Sequence, residues 1–285
     1  FYYYYFKYRE YFVEIRFYTV NIEPNGSILT KLRRRQMKKL ENKVALITGG
    51  NSGIGLATAW LFKEHGAKVI ITARSKETFD KAQQEYGKSF DVIQADVSKL
   101  EEIDRLYSQV KNKYGKLDVL FANAGVATFA PTALIDEAFF DNQFNVNVKG
   151  LYFTVAKALP LLNKGSKVVL NASVVSNKGM YGASVYAATK AAVRSFARTW
   201  TAEIPVDDVR FNVLSPGPIE TPIYSKMGMP QDQIDSFSAQ IIANIPIKRF
   251  GTSEEMAKVA LFLASDDSSF ICGADILADG GFGQI

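Results

Sequence analysis

Thr48-Gly49-Gly50-Asn51-Ser52-Gly53-Ile54-Gly55 follows the apolar run Val44-Ala45-Leu46-Ile47 and opens a helix-patterned stretch over residues 54–65 that stops at Gly66. A glycine turn between a buried strand and a helix aims backbone N–H groups and the positive end of the helix dipole at one point. A pyrophosphate fits that point. The glycines permit the tight turn, close backbone approach to the phosphates and close packing of helix on strand. Gly49, Asn51, Ser52, Gly53, Ile54 and Gly55 are therefore the first candidate cofactor-binding residues. The spacing is G-x-x-x-G-x-G rather than G-x-G-x-x-G, so its weight comes from its place between strand and helix.

Outward from this loop, short β-branched runs alternate with helical periodicity. Strands are expected at 44–48, 68–72, 91–95, 117–122, 167–171, 209–214 and 274–277. Helices are expected at 54–65, 75–86, 101–114, 139–162, 185–203 and 254–264. Regular βαβ alternation with near-continuously apolar strands implies an α/β fold, a doubly wound parallel sheet of about seven strands with helices on both faces. No linker, repeat or low-complexity tract divides residues 37–285, which read as one domain.

Two further patterns carry chemistry. The expected second strand ends Thr72-Ala73-Arg74-Ser75-Lys76, with no carboxylate to take a ribose 2′-OH and with positive charge for a 2′-phosphate. That favours NADP(H) over NAD(H), with Arg74 and Ser75 at the phosphate; the competing reading of Arg74 is a solvated surface charge. Tyr186 and Lys190 lie at i, i+4 in the expected helix 185–203, so phenol and ammonium share a face. An ordinary tyrosine titrates near 10 and needs a nearby cation to form phenolate at neutral pH. Ser173 follows a strand end thirteen residues earlier, where open parallel sheets place their ligands.

Together these motifs resemble the short-chain dehydrogenase/reductase family over residues 41–285. The matching pieces are the glycine loop, Asp96-Val97, Asn123-Ala124-Gly125, Asn147 within 145–150, Ser173, Tyr186 with Lys190, Pro216-Gly217 with Thr221, and Ala278-Asp279-Gly280-Gly281. One departure stands out: Ser52 occupies a position where many NADP-preferring relatives carry Arg or Lys, which leaves that preference to Arg74. The resemblance implies a single-domain Rossmann-like fold and a catalytic set of Asn147, Ser173, Tyr186 and Lys190. Tyr186 would give a proton to a carbonyl oxygen or take one from an alcohol, and Ser173 would hydrogen-bond that oxygen. Lys190 would hold the nicotinamide ribose and favour the phenolate, while Asn147 would position a relay water. Asp96 and Val97 would flank the adenine, and Asn123, Ala124 and Gly125 would pass its ribose. Pro216, Gly217, Ile219 and Thr221 would lie at the nicotinamide. Asn123 and Asn147 also have a structural reading, as side chains that satisfy backbone groups.

The resemblance makes residues 218–250 a mobile substrate lid. Val175, Met180, Tyr181 and Tyr224 join Ser173 and Tyr186 as candidate substrate residues. They are mostly apolar, which suggests a neutral ketone or aldehyde reduced to its alcohol. The alternatives are a 3-oxoacyl-[acyl-carrier-protein] reductase, a sugar or polyol dehydrogenase resembling glucose 1-dehydrogenase, or an inactive NADP(H)-sensing protein. No metal ligand cluster is apparent. His65 reads as a helix C-terminal residue and Cys272 as a buried, inert thiol. Relatives suggest a homotetramer built on 139–162, 185–203 and the last strand.

The chain has 285 residues, 47% of them hydrophobic, and a net charge of +5. These values fit a globular protein and exclude a mainly disordered one. No apolar run reaches about 18 residues, so no membrane-spanning helix is expected. A single cysteine cannot form an internal disulfide and fits a reducing, cytoplasmic setting. The charge is unevenly placed: residues 1–36 carry seven basic and three acidic groups, a net of +4, and leave +1 for the other 249. Eleven of the 36 aromatics fall within residues 1–18. The segment has β-prone runs around Pro24-Asn25-Gly26, a hairpin signal, and an aromatic, basic arm could in principle touch nucleic acid or an anionic membrane. Neither partner is expected. Phe and Tyr runs are what AT-rich DNA encodes, and Arg33-Arg34 can be read from AGGAGG, a ribosome-binding sequence shortly before Met37. Residues 1–36 are thus expected to be translated upstream DNA and to stand outside the fold. N-terminal mass spectrometry of the natively expressed protein should find Met37 first; a mature chain containing residues 2–5 contradicts this.

Overall fold

The computed structural model describes residues 8–9, 12–13, 38–220 and 231–285. Phe1–Met37 and Lys38–Ile285 form two compact units. In the first, Tyr8–Arg9 pairs antiparallel with Phe12–Val13. The hairpin expected around Pro24-Asn25-Gly26 lies outside the described residues.

The second unit is a seven-stranded parallel sheet. Its strands are β1 (Val44–Ile47), β2 (Lys68–Ala73), β3 (Asp91–Gln94), β4 (Leu117–Ala122), β5 (Leu162–Asn171), β6 (Val209–Pro216) and β7 (Asp275–Ala278). The spatial order is β3-β2-β1-β4-β5-β6-β7, every neighbouring pair parallel. The helices are α1 (Gly53–Glu64), α2 (Lys76–Tyr86), α3 (Leu100–Tyr114), α4 (Glu137–Phe144), α5 (Leu151–Ala158), α6 (Ser184–Glu203), α7 (Gln231–Asn244) and α8 (Ser253–Ala264). The doubly wound, Rossmann-like architecture expected from the sequence is the one observed.

Alternate residues of each strand feed opposite faces, as a two-residue period requires. Leu46, Ile70, Leu120, Val168 and Val213 pack with Ile103, Leu106 and Val110 of α3, Val155 of α5, and Val193 and Trp200 of α6. Their neighbours Ile47, Ile71, Phe121, Val169 and Leu214 pack on the other face, with Phe62 of α1 and Met256, Ala260 and Leu261 of α8. Two apolar layers therefore clamp the sheet, and its strand order reverses between β1 and β4. Ligands bind beyond the C-terminal strand ends at such a reversal, which here means the glycine loop after β1 and Asn123-Ala124-Gly125 after β4.

Three expectations need correction. The single helix expected at 139–162 is interrupted: α4 passes into a π turn at Asn145–Gly150, then α5, then a 3-10 turn at Leu159–Leu161, and β5 already starts at Leu162. Apolar periodicity continues on both sides of the extra π residue, so the pattern conceals it. Cys272 is exposed, not buried. Its apolar neighbours suggested a core position, but it lies in the connection between α8 and the edge strand β7, where Phe270 is also fully exposed. The stretch read only as a lid contains α7. Pro218–Glu220 and Gly251 pair through backbone bonds at its base, Glu220 N–H to Gly251 O at 2.9 Å and Gly251 N–H to Pro218 O at 3.0 Å. His65 is the residue after α1, and its Nδ1 accepts from the Lys39 N–H at 3.5 Å, a structural role.

Candidate active site

The glycine loop is tied to its neighbours before any ligand is considered. Thr48 is buried, and its Oγ1 accepts from the N–H groups of Asn123 and Ala124, each at 3.0 Å. The Asn123 side chain donates back to Thr48 O at 3.0 Å and Gly49 O at 3.3 Å. Gly49 N–H donates to Thr72 Oγ1 at 3.0 Å, so the loop is anchored to β2 as well. Gly49 and Gly53 take left-handed φ values of +61° and +51°, which only glycine adopts cheaply. A Cβ on Gly55 would lie 2.4 Å from Gly49 O and 2.7 Å from Asn123 Nδ2. The loop can close on the helix only because Gly55 has no side chain. Ser52 precedes α1 without a side-chain cap bond, and no acid occupies the first turn. The first amides of α1 thus meet no capping side chain or acid, which suits a diphosphate. Asn51 belongs to the same turn, while Ile54 packs into the core under it.

The residues expected to surround the rest of the dinucleotide fall along the same edge. Arg74 is exposed just beyond β2. Ser75 caps α2, accepting from Thr78 N–H at 3.2 Å while Thr78 Oγ1 accepts from Ser75 N–H at 3.0 Å. Lys76 Nζ is paired with Asp80 at 2.8 Å. Asp96 Oδ1 accepts from the Ser98 N–H at 3.0 Å and the Ser98 hydroxyl at 2.7 Å, and Val97 is buried. Pro216 ends β6, and Gly217 N–H donates to Ala278 O at 3.0 Å. A Cβ on Gly217 would meet Asp279 Cα at 2.5 Å, so this glycine has a packing reason of its own. Ile219 is buried and bridges to Gly251. Thr221 and Tyr224 lie outside the described residues.

The catalytic candidates converge beyond the ends of β4 and β5. Lys190 is 4% exposed, and its Nζ donates to Asn171 O at 2.8 Å. The same Nζ lies 5.7 Å from the Tyr186 ring centroid and beside Gly125 and Asn147, since a Cβ on Gly125 would meet Asn147 Oδ1 at 3.2 Å and Lys190 Nζ at 3.5 Å. Burial lowers the lysine to about 8 from its ordinary 10.5, because the charged form is the one that loses hydration. Ser173 opens the 3-10 turn Val174–Ser176. Its Oγ accepts from the Val175 N–H at 3.4 Å. Val174, Val175 and Met180 share an apolar cluster with Tyr186, which brings the serine's turn against the tyrosine. Tyr181 is 86% exposed.

Asn147 lies in the π turn, buried. Its Oδ1 accepts from Val126 N–H at 2.9 Å, and its Nδ2 donates to Val126 O at 2.8 Å and Thr189 Oγ1 at 3.1 Å. One turn earlier Gln143 does the same to Thr128, accepting from its N–H at 3.4 Å and donating to its carbonyl at 3.3 Å. Two side-chain amides on one helix face thus bond the backbone N–H and carbonyl of Val126 and of Thr128 and tie down this segment. The next residue, Phe129, packs edge-on to the Tyr186 ring at 5.7 Å. So the structural reading of Asn147 is fulfilled by its side chain.

Sequence reasoning passed over Thr48, Asn171, Gln143 and Phe129, together with Ile245 and Phe282 of the cluster around Tyr186. Gln143 was findable, four residues before Asn147 on the same helix face; the others depend on contacts between distant segments. Among the described residues no group of three His, Cys, Asp or Glu side chains could hold a metal ion, and no helix is long and apolar enough to cross a membrane.

Comparison with known proteins agrees with this fold. A sequence-family profile described as Enoyl-(Acyl carrier protein) reductase matches residues 49–283. Oxidoreductase asL5 of Sarocladium schorii is 40% identical over 251 residues, 87% of this chain and 99% of that protein. The 3-oxoacyl-[acyl-carrier-protein] reductase FabG of Thermotoga maritima is 39% identical over 249 residues, 85% of this chain and 98% of that one. Among solved structures, a short chain dehydrogenase/reductase family protein superposes with a TM-score of 0.75 at 36% identity, covering 87% of this chain and all of its own. The Thermoplasma acidophilum aldohexose dehydrogenase gives 0.79 at 26% identity, covering 87% of this chain and 97% of its own.

The hub position of Thr48 is testable without any ligand. Thr48→Val keeps shape but strands the N–H groups of Asn123 and Ala124, and urea unfolding should show a loss of about 1–3 kcal/mol. An unchanged midpoint and slope would mean that those amides are satisfied in another way.

Proposed function

The chain belongs to the short-chain dehydrogenase/reductase family of NAD(P)-dependent oxidoreductases, and on that premise we propose that it is an NADP(H)-dependent reductase converting a neutral ketone or aldehyde reversibly to its alcohol. The observation that carries this reading is the buried Lys190 ammonium, held on Asn171 O beside the Tyr186 ring at the C-terminal edge of the sheet. The reduced nicotinamide, when bound, supplies the hydride that reaches the carbonyl carbon. Tyr186 passes its hydroxyl proton to the carbonyl oxygen as negative charge develops there. Ser173 donates a hydrogen bond to that oxygen and offsets the same charge. Lys190 favours the phenolate left on Tyr186 and would hold the nicotinamide ribose. Asn147 holds the relay water through which the pair regains a proton.

The dinucleotide reading draws on the cradle closed by Gly55, the α1 amides without a side-chain cap, and the edge carrying Asp96, Val97, Asn123, Ala124, Gly125, Pro216, Gly217 and Ile219; Thr221 is proposed as a further contact. The phosphate preference rests on Arg74, since Ser75 is engaged as a helix cap and Lys76 is paired with Asp80. Ser173, Val175, Met180, Tyr181 and Tyr186 are the proposed substrate residues, with Tyr224 as a further candidate. Apolar packing around Tyr186 by Val175, Met180, Ile245 and Phe282 favours an uncharged substrate. A second reading, reduction of a 3-oxoacyl thioester, draws on the likeness to FabG. A cytoplasmic homotetramer, free of nucleic acid and membrane, completes the proposal; the partly exposed Phe140 and Tyr152 beside α6 suit a subunit face.

Tyr186→Phe should lower kcat about 10²–10⁴-fold in an NADPH-consumption screen over ketones, keto-thioesters and sugars, with NADPH still bound. Activity surviving that change would overturn the proton-donor role. Arg74→Ala should raise the KM for NADPH about 10–100-fold, the worth of a charge-assisted hydrogen bond, and leave NADH unaffected. An unchanged NADPH/NADH ratio would remove Arg74 from the cofactor site.

A further inference from the structure

Tyr186, Lys190 and Arg194 fall at i, i+4 and i+8 on α6, one stripe of the helix. The third member takes no part in the chemistry above, yet it is largely buried and bonded to the turn that carries Ser173. Arg194 Nε pairs with Asp275 Oδ2 at 2.5 Å, with side-chain exposures of 22% and 13%. Arg194 Nη1 donates to Ser176 O at 3.3 Å. The Ser176 hydroxyl in turn donates to Ser173 O at 2.7 Å. Asp275, the first residue of β7, also accepts from Asn177 Nδ2 at 3.1 Å and from the Ser215 hydroxyl at 2.5 Å. One ion pair thus joins the helix of Tyr186 and Lys190, the C-terminal end of the serine turn at Ser176 and Asn177, and strands β6 and β7.

We propose that Arg194 and Asp275 are positioning residues for the reaction, fixing the Ser173 hydroxyl relative to the Tyr186 phenol. The physical need is plain in the geometry. The serine follows the end of β5 while the tyrosine rides on α6, so their separation depends on how the serine turn is held against the helix. A partly buried ion pair is costly to desolvate and adds little net stability against an apolar pair of similar size. What the arginine adds is reach: its charge beside the Asp275 carboxylate and its Nη1–H on the Ser176 carbonyl hold helix and turn at one separation. A displacement of about 1 Å between catalytic groups can cost on the order of 100-fold in rate.

This inference rests on the reductase reading, and a double-mutant cycle with Ser173 tests it separately. In NADPH-dependent carbonyl reduction, Arg194→Met should lower kcat at least tenfold while KM and the NADPH dissociation constant stay within about twofold. In a Ser173→Ala background, assayed at correspondingly higher enzyme concentration, the same change should cost less than about twofold, because the group it positions is gone. Arg194→Lys keeps the charge on Asp275 but cannot span both acceptors, so it should fold like the wild type and show a smaller loss of kcat with the same dependence on Ser173. It decides the matter if Arg194→Met fails to fold. Equal fold losses in the presence and absence of the serine hydroxyl, with wild-type turnover intact, would overturn the inference and leave the reductase reading standing. So would an Arg194→Met enzyme of unchanged kcat.

Discussion

The hydrogen bond from the buried Lys190 ammonium to Asn171 O is the interaction on which the rest of the site hangs. It joins α6 to the last residue of β5, and Asn171 continues the chain, its Nδ2 donating to Asn123 Oδ1 at 2.9 Å. Asn123 donates to the carbonyls of Thr48 and Gly49, and Gly49 donates to Thr72. A single line of polar contacts therefore crosses the C-terminal ends of β5, β4, β1 and β2 and connects the catalytic helix with the glycine loop. Each link is part-buried at the C-terminal edge of the sheet, where an unmade bond costs more than it would in open solvent. The site's geometry is thereby fixed by the sheet itself.

The same burial sets the charge state. An ammonium removed from water loses hydration, and Lys190 falls to about 8. It therefore remains mostly charged at neutral pH, close enough to its midpoint to give up a proton and regain one. The sign for stability follows: between about 8 and the ordinary 10.5 the unfolded chain binds more protons than the folded one at this position, so the contribution of Lys190 becomes more favourable as pH rises through that window. Below it, the folded state carries the full cost of a buried charge. That cost is accepted where the charge faces Tyr186.

Much of this was legible in the residues. Apolar strands alternating with helical periods gave the parallel sheet because both of its faces are covered, and the expected strand at 117–122 matches β4 residue for residue. Spacing brought Tyr186 and Lys190 together because four residues span one helical turn. What escaped was of another kind. The π turn around Asn147 adds a residue without breaking the apolar pattern. The roles of Thr48, Asn171 and Arg194 come from hydrogen bonds between residues 18 to 76 positions apart, which no local periodicity encodes. Cys272 misled because apolar neighbours at a sheet edge read like those in a core.

The most direct test is the titration of Lys190 itself, followed by ¹³C NMR on protein labelled at the lysine ε-carbon, with Lys190→Arg used to assign the signal. A midpoint near 8 is expected, well below the other lysines. A midpoint at or above the ordinary 10.5 would contradict the buried ammonium at Asn171 and, with it, the coupling of the catalytic helix to the sheet.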